Sequence, residues 1–246
     1  MKLKLFVPIV FSFFLLVSSA HPFEIPYPNE KGFFIGAELP YQTTSKQGRQ
    51  EGIFVFGQSK IFFSEKEYYD CVFQTATSIS HFYFSIDSVN QALLFKGLEI
   101  KNSKIDTNQP VTSIAYPLTS DKKWVEKGIE ITGKNIEIPG LGIMPTLTVK
   151  NVQATTLVSS GILNVPAGIF EALRIETIFS GDVFNIPVSI VQRTWLDKKN
   201  IILKLSFEFN FLSKITPIFD MELIALTSAN IHPIKKISSQ WGLIKK

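Results

Sequence analysis

The chain has 246 residues, with 25 Lys and Arg against 21 Asp and Glu and a formal net charge of +4 at pH 7. That small excess excludes the basic footprint of a nucleic-acid binder, and a single cysteine excludes an internal disulfide. With 45% hydrophobic residues, a chain of this length can bury a core large enough to hold without staples.

The first twenty residues read as a secretory signal. Lys2 and Lys4 open a basic start, Leu5 to Val17 is apolar but for Ser12 and Pro8, and Ser18-Ser19-Ala20 offers the small residues of a cleavage site. A run of about 13 residues is short of the roughly 20 a spanning helix needs. Cleavage after Ala20 is therefore expected, with one domain over 21–246 and no stable membrane anchor. His21 stands where a lipoprotein would carry Cys, and no N-x-[ST] acceptor occurs, which favours a bacterial periplasm or cell exterior.

HPFEIPYPNEKG follows with three prolines and reads as an extended lead-in, and the polar stretch Gln42 to Gly52 reads as an exposed loop. Cys71, between apolar neighbours, is expected to be a small buried hydrophobe rather than a reactive thiol. Beyond it the dominant period is two. HFYFSID places Phe82, Phe84 and Ile86 on one face. SVNQALLFKGL, Ser88 to Leu98, carries a capping Ser and reads as the one short helix. GIEITGKNIEIPG, Gly128 to Gly140, reads as two short strands across a Gly-Lys-Asn turn. Strands are also expected in LTVKNV, in ALRIETIF, where Leu173, Ile175 and Phe179 oppose Arg174 and Glu176, and in PVSIVQRTWL.

The clearest strand is IILKLSFEFNFL. Leu203, Leu205, Phe207, Phe209 and Phe211 alternate with Lys204, Ser206, Glu208 and Asn210, as an antiparallel strand over a core requires. The basic tail IHPIKKISSQWGLIKK reads as a final strand with a frayed end. No fixed period recurs along the chain, which disfavours propellers and solenoids.

Motifs of chemistry are missing. His21, His81 and His232 are far apart, and with one cysteine they predict no metal site. No GxSxG, GxGxxG or P-loop occurs, and Ser120-Asp121-Lys122-Lys123 matches SxxK without companions. The acidic residues are dispersed, so no catalytic residue and no cofactor is expected. What abounds is phenylalanine, 22 in the chain and 18 beyond Ala20. Two readings stand side by side: a large β core, or an uncovered apolar face lining a lipid pocket. In the second, Phe82, Phe84, Leu203, Leu205, Phe207, Phe209 and Phe211 form the lining.

Three stretches resemble a family. Tyr116-Pro117-Leu118 with Lys123-Trp124, then Val165-Pro166-Ala167-Gly168 before an alternating strand, then Thr194-Trp195-Leu196, resemble in the same order the exported bacterial DUF3108-like proteins. Ile169 stands where those proteins usually have Thr, and Asp197-Lys198-Lys199-Asn200 replaces a Gly-rich turn. The resemblance marks Tyr116, Pro117, Trp124, Pro166, Gly168 and Trp195 as scaffold. It implies a mainly β fold similar to the periplasmic lipoprotein carriers of the LolA and LolB type: an antiparallel half-barrel wrapped around a short helical plug. VPAG then reads as a scaffold corner, with Pro166 holding Val165 extended and Gly168 free to take positive φ.

Three functions follow as expectations. The first is a non-enzymatic protein holding a lipid or lipidated partner on a concave aromatic face. The second is an envelope interaction protein with a self-filled barrel that binds another protein. The third is a hydrolase with a dispersed site, which would need Ser or Asp clustered with His81 or His232 in a cleft.

Overall fold

The computed structural model describes residues 23–28, 33, 35–45, 48–63, 66–138, 142–183, 185–212 and 214–226. The signal segment, His21, His232 and the basic tail lie outside them. Among the described residues fourteen strands are formed: β1 Glu24–Ile25, β2 Glu38–Ser45, β3 Gly48–Phe63, β4 Lys66–Thr75, β5 Ile79–Asp87, β6 Ala92–Ile100 and β7 Ser103–Ala115, then β8 Leu118–Thr119, β9 Lys123–Ile138, β10 Gly142–Val165, β11 Gly168–Val183, β12 Ile186–Leu196, β13 Ile202–Phe211 and β14 Lys214–Leu223.

All but β1 and β8 join one closed antiparallel barrel of twelve strands in sequence order, β10 to β14 continuing into β2 to β7 and β9. The half-barrel expected from the sequence is thus a full barrel, and no α-helix plugs it among the described residues. The expected helix at Ser88 is a tight turn. The Asp87 carboxylate accepts from the backbone N–H groups of Val89 and Asn90 at 3.1 and 3.0 Å and from Asn90 Nδ2 at 2.8 Å, and the chain then enters β6. The turn closes into a hairpin rather than running on as a helix, because Gln91 takes φ +50° and Ala92 pairs back with Asp87, which buries Leu93 and Phe95 as strand residues.

Two other expectations also change. Gln42 to Gly52 is a paired hairpin rather than a loop, with Gln42 opposite Glu51 and Ser45 opposite Gly48. Gly133-Lys134-Asn135 lies inside the continuous strand β9, and the reversal comes between Ile138 and Gly142. The strands read from period two are present. In β13 the inward set Leu203, Leu205, Phe207, Phe209 and Phe211 is buried, as are Phe82, Phe84, Leu173, Ile175 and Phe179.

The barrel has two thin seams. Between β14 and β2 the ladder is only Glu222 with Gln42 and Leu223 with Tyr41, extended by Ile224 N–H to the Pro40 carbonyl at 3.0 Å. Between β7 and β9 regular pairing covers only Lys104–Thr107 against Ile131–Lys134. Farther along that seam side chains bridge the strands. Asn108 Oδ1 accepts from Glu130 N–H at 2.9 Å, Glu126 Oε1 from Thr112 N–H at 3.0 Å, and Trp124 Nε1 donates to the Thr112 carbonyl at 3.2 Å. Two six-stranded walls result, β2–β7 and β9–β14. They meet face to face: Phe82 lies 6.1 Å from Phe207 and 5.0 Å from Phe219, Phe73 lies 5.7 Å from Phe219, and Gln192 Nε2 donates to Ser113 Oγ at 3.1 Å.

Candidate functional site

The seven residues read as a lining lie on the inward faces of β5 and β13, and the structure does bring them together. They are packed rather than exposed: Phe82 is 0% and Phe207 1% accessible. The space left beside Phe207, Phe95 and Phe179 is about 10 Å³, near the minimum that holds one water. The aromatic rings of the two walls fill the interior. Cys71 sits there as expected, fully buried, and burial pushes its thiol well above its ordinary range.

A larger apolar space, about 40 Å³, lies at one mouth of the barrel, among Phe33, Leu39, Tyr41, Phe54, Tyr116 and Leu196. The N-terminal segment roofs it. β1 pairs with β8 through Ile25 and Leu118, both buried, while Tyr27, Phe33 and Tyr116 form an edge-to-face triangle with centroids 5.7 to 6.1 Å apart. Its polar edges are satisfied internally. Tyr41 donates to the Ile202 carbonyl at 2.6 Å and Tyr116 to Asn200 Oδ1 at 2.7 Å; burial raises both phenols above their ordinary range.

Asp197, which the sequence did not single out, shapes that mouth. Its Oδ1 accepts from the N–H groups of Lys199 and Ile201 at 2.9 and 2.8 Å, holding the β12–β13 connection, and burial raises its carboxyl despite those donors. Asp before Lys-Lys-Asn is an ordinary turn signal, so its burial could not be foreseen.

The resemblance residues are structural. Val165 pairs with Gly168 across a two-residue turn of Pro166 and Ala167, and Gly168 has φ +134°, a value a side chain rarely tolerates. The turn reaches the far seam, where Ala167 N–H bonds the Leu223 carbonyl at 3.0 Å. Tyr116 and Pro117 flank a cis peptide, and the Pro117 carbonyl accepts from Lys122 Nζ at 2.7 Å. Trp124 ties β9 to β7, and Trp195 lies on the outer face under Lys204.

His81 has one acidic partner: its Nδ1 lies 3.0 Å from Asp70 Oδ1, and its ring stacks on Tyr83. Tyr83 in turn donates to Glu99 at 3.0 Å, and Lys104 pairs with Glu99 at 2.8 Å. This outward network on β4 to β7 lines neither interior space. Asp70 is the sole hydrogen-bond partner of His81 among the described residues.

The outer face of β11 to β14 is charged. Arg193 bridges Glu176 on β11 at 2.6 Å and Glu208 on β13 at 2.7 Å, while Lys204 bridges Glu222 at 2.6 Å and Asp220 at 3.5 Å. Elsewhere the outside also carries exposed apolar side chains, among them Phe62, Ile143, Ile162 and Ile169. No protein-family model, no curated protein and no solved structure matches this chain.

Proposed function

We propose that this is an exported, non-enzymatic interaction protein of the bacterial envelope, a self-filled barrel whose outer surface binds another protein. The observation that carries the reading is the contact between the walls: Phe82, Phe95 and Phe207 pack ring on ring, and the two apolar spaces described above hold about 40 and 10 Å³. An acyl chain needs a site of several hundred Å³. What the molecule offers to a partner is therefore its outside. Kinship with the DUF3108-like exported proteins belongs to the same proposal and rests on the short motifs around Tyr116, Pro166 and Trp195.

A second reading keeps the lipid or lipidated partner. It is favoured by the almost wholly apolar mouth under the β1 segment, where displacement of Phe33 would open the space beside Tyr41 and Leu196. One experiment separates the two. Protein purified from its host envelope, cross-linked in place and weighed by native mass spectrometry, should carry a protein adduct and no acyl species. A stoichiometric acyl species in its place would transfer the function to the mouth.

A further inference from the structure

The outer face of the second wall carries an apolar strip. Register aligns Val125 of β9, Thr155 of β10, Ile178 of β11 and Val191 of β12 side by side in one row, with Leu157 diagonal to both Val125 and Ile178. Their chain neighbours Ala154, Thr156, Thr177, Phe179 and Gln192 are buried inward, so the row faces out. Val125, Leu157 and Ile178 are 44%, 45% and 36% exposed. All but Leu157 are β-branched, a shape that packs well on another pleated surface.

The rows on either side are polar. Lys123, Glu176 and Arg193 bound the strip toward the mouth, and Gln153, Ser180 and Ser189 bound it on the other side. Single apolar side chains on a sheet exterior are ordinary, but a contiguous strip inside a polar rim has the anatomy of a protein interface. The wall is shaped for it. The barrel's two walls touch through Phe82 and Phe207, so the cross-section is flattened and the outer face of β9 to β12 can lie against another sheet.

The charges in the rows that hold and flank the strip select the occupant. At the β9 end stands Lys123, with exposed Lys127 close by, while Glu126 is turned to the β7 seam, where its Oε1 takes the Thr112 N–H. In the middle Arg174 and Arg193 face the single carboxylate of Glu176. At the other end β13 and β14 bring Lys204 against Glu208, Asp220 and Glu222, and this end stays negative even with Arg49, which acts on Glu222 from β3. The face is thus positive at one end and negative at the other. A two-fold axis along β11 at Ile178 reverses the strand order, laying strip on strip and β9 of one copy over β13 of the other. Lys123 then meets Glu208 of the partner subunit, so the face is complementary to itself.

We propose that two copies of this chain pair face to face through Val125, Thr155, Leu157, Ile178 and Val191. The pairing goes beyond the interaction reading above and does not depend on it. Sedimentation equilibrium of the protein purified from its host, over a range of concentrations, is the test.

The parent should reach the mass of two chains as concentration rises. Ile178→Glu puts a charge at the centre of the strip and leaves the core untouched, so it should raise the dimer dissociation constant at least about tenfold. Lys123→Glu should weaken the pair as well, and adding Glu208→Lys to it should recover part of that loss. A single-chain mass at every concentration overturns the proposal on the unaltered protein, whether or not the variants fold. A dimer with the same dissociation constant in the parent, Ile178→Glu and Leu157→Lys overturns the strip and moves the contact to another face. Either failure leaves the interaction reading standing, because its envelope cross-link is to a protein of different mass.

Discussion

Phe82 of β5 and Phe207 of β13 stack across the barrel with ring centroids 6.1 Å apart and planes 22° from parallel. One ring belongs to each wall, so their contact fixes how far apart the walls stand. Phe82→Ala or Phe207→Ala should each cost about 3 to 5 kcal/mol, as loss of a large core aromatic does. The double variant should cost less than the sum, because the second truncation removes a contact already gone. Urea unfolding of the four proteins measures both; full additivity would mean the walls are not coupled through these rings.

Tyrosine ionisation gives a pH prediction. Burial raises the phenols of Tyr41, Tyr68, Tyr83 and Tyr116 above their ordinary range in the fold, with Glu99 adding to the rise at Tyr83. A folded pKa above the unfolded one means a contribution fully present below the unfolded pKa, about 10, and lost as pH rises beyond it. Stability should fall steeply above that pH, and tyrosinate absorbance should reach its six-tyrosine amplitude only when the fold opens. Full amplitude with the far-ultraviolet spectrum intact would contradict the burial.

Asp197 should separate acceptor from charge. Burial raises its folded pKa above the unfolded value of about 4, so its contribution is present below that value and lost as pH rises through the folded pKa. Asn keeps the oxygen that receives the Lys199 and Ile201 N–H groups and carries no charge. Asp197→Asn should equal or exceed the parent in thermal midpoint at pH 7, an advantage that vanishes in acid. Asp197→Ala should lose about 1 to 3 kcal/mol, because two N–H groups go unpaired.

Arg193 holds two carboxylates on either side of its strand. The side chains are about a quarter exposed, so solvent screening keeps the expected cost of Arg193→Ala near 1 kcal/mol. Since what remains is Glu176 facing Glu208 without a cation, the loss should shrink as salt is raised. Chemical unfolding at low and high sodium chloride checks this, and a salt-independent loss would point to packing of the stem instead.

Gly168 carries φ +134° at the start of β11. Gly168→Ala should cost about 1 to 3 kcal/mol through backbone strain, since its ideal Cβ meets no atom closer than 3.7 Å. Thermal unfolding against Gly161→Ala, a site with open space and no positive φ, isolates the strain.

Much of the strand content was legible because burial on one face imposes period two, and Leu203 to Phe211 or Leu173 to Phe179 carry that period plainly. Closure was not legible. A half-barrel and a full barrel demand the same alternation from β13, and what distinguishes them is the pairing of Leu223 with Tyr41, which no local pattern encodes. The helix read at Ser88 failed because Ala92 pairs back with Asp87 and Leu93 and Phe95 are buried as strand residues, a long-range outcome that their helix-tolerant composition does not show. The aromatic set was identified correctly as one face, yet a lined pocket and a filled core have the same sequence.

The seam between β14 and β2 also sets an order of events. Each pairing within the two walls joins strands that are neighbours in the chain, so those hairpins can form as their residues emerge. Gln42 and Glu222 are 180 positions apart, and their contact must wait for nearly the whole polypeptide. Until then the inward edge of β2 stands open beside an uncovered row of phenylalanines. The molecule is most exposed to strangers, chaperone or aggregate alike, in the interval before β14 arrives to shut it.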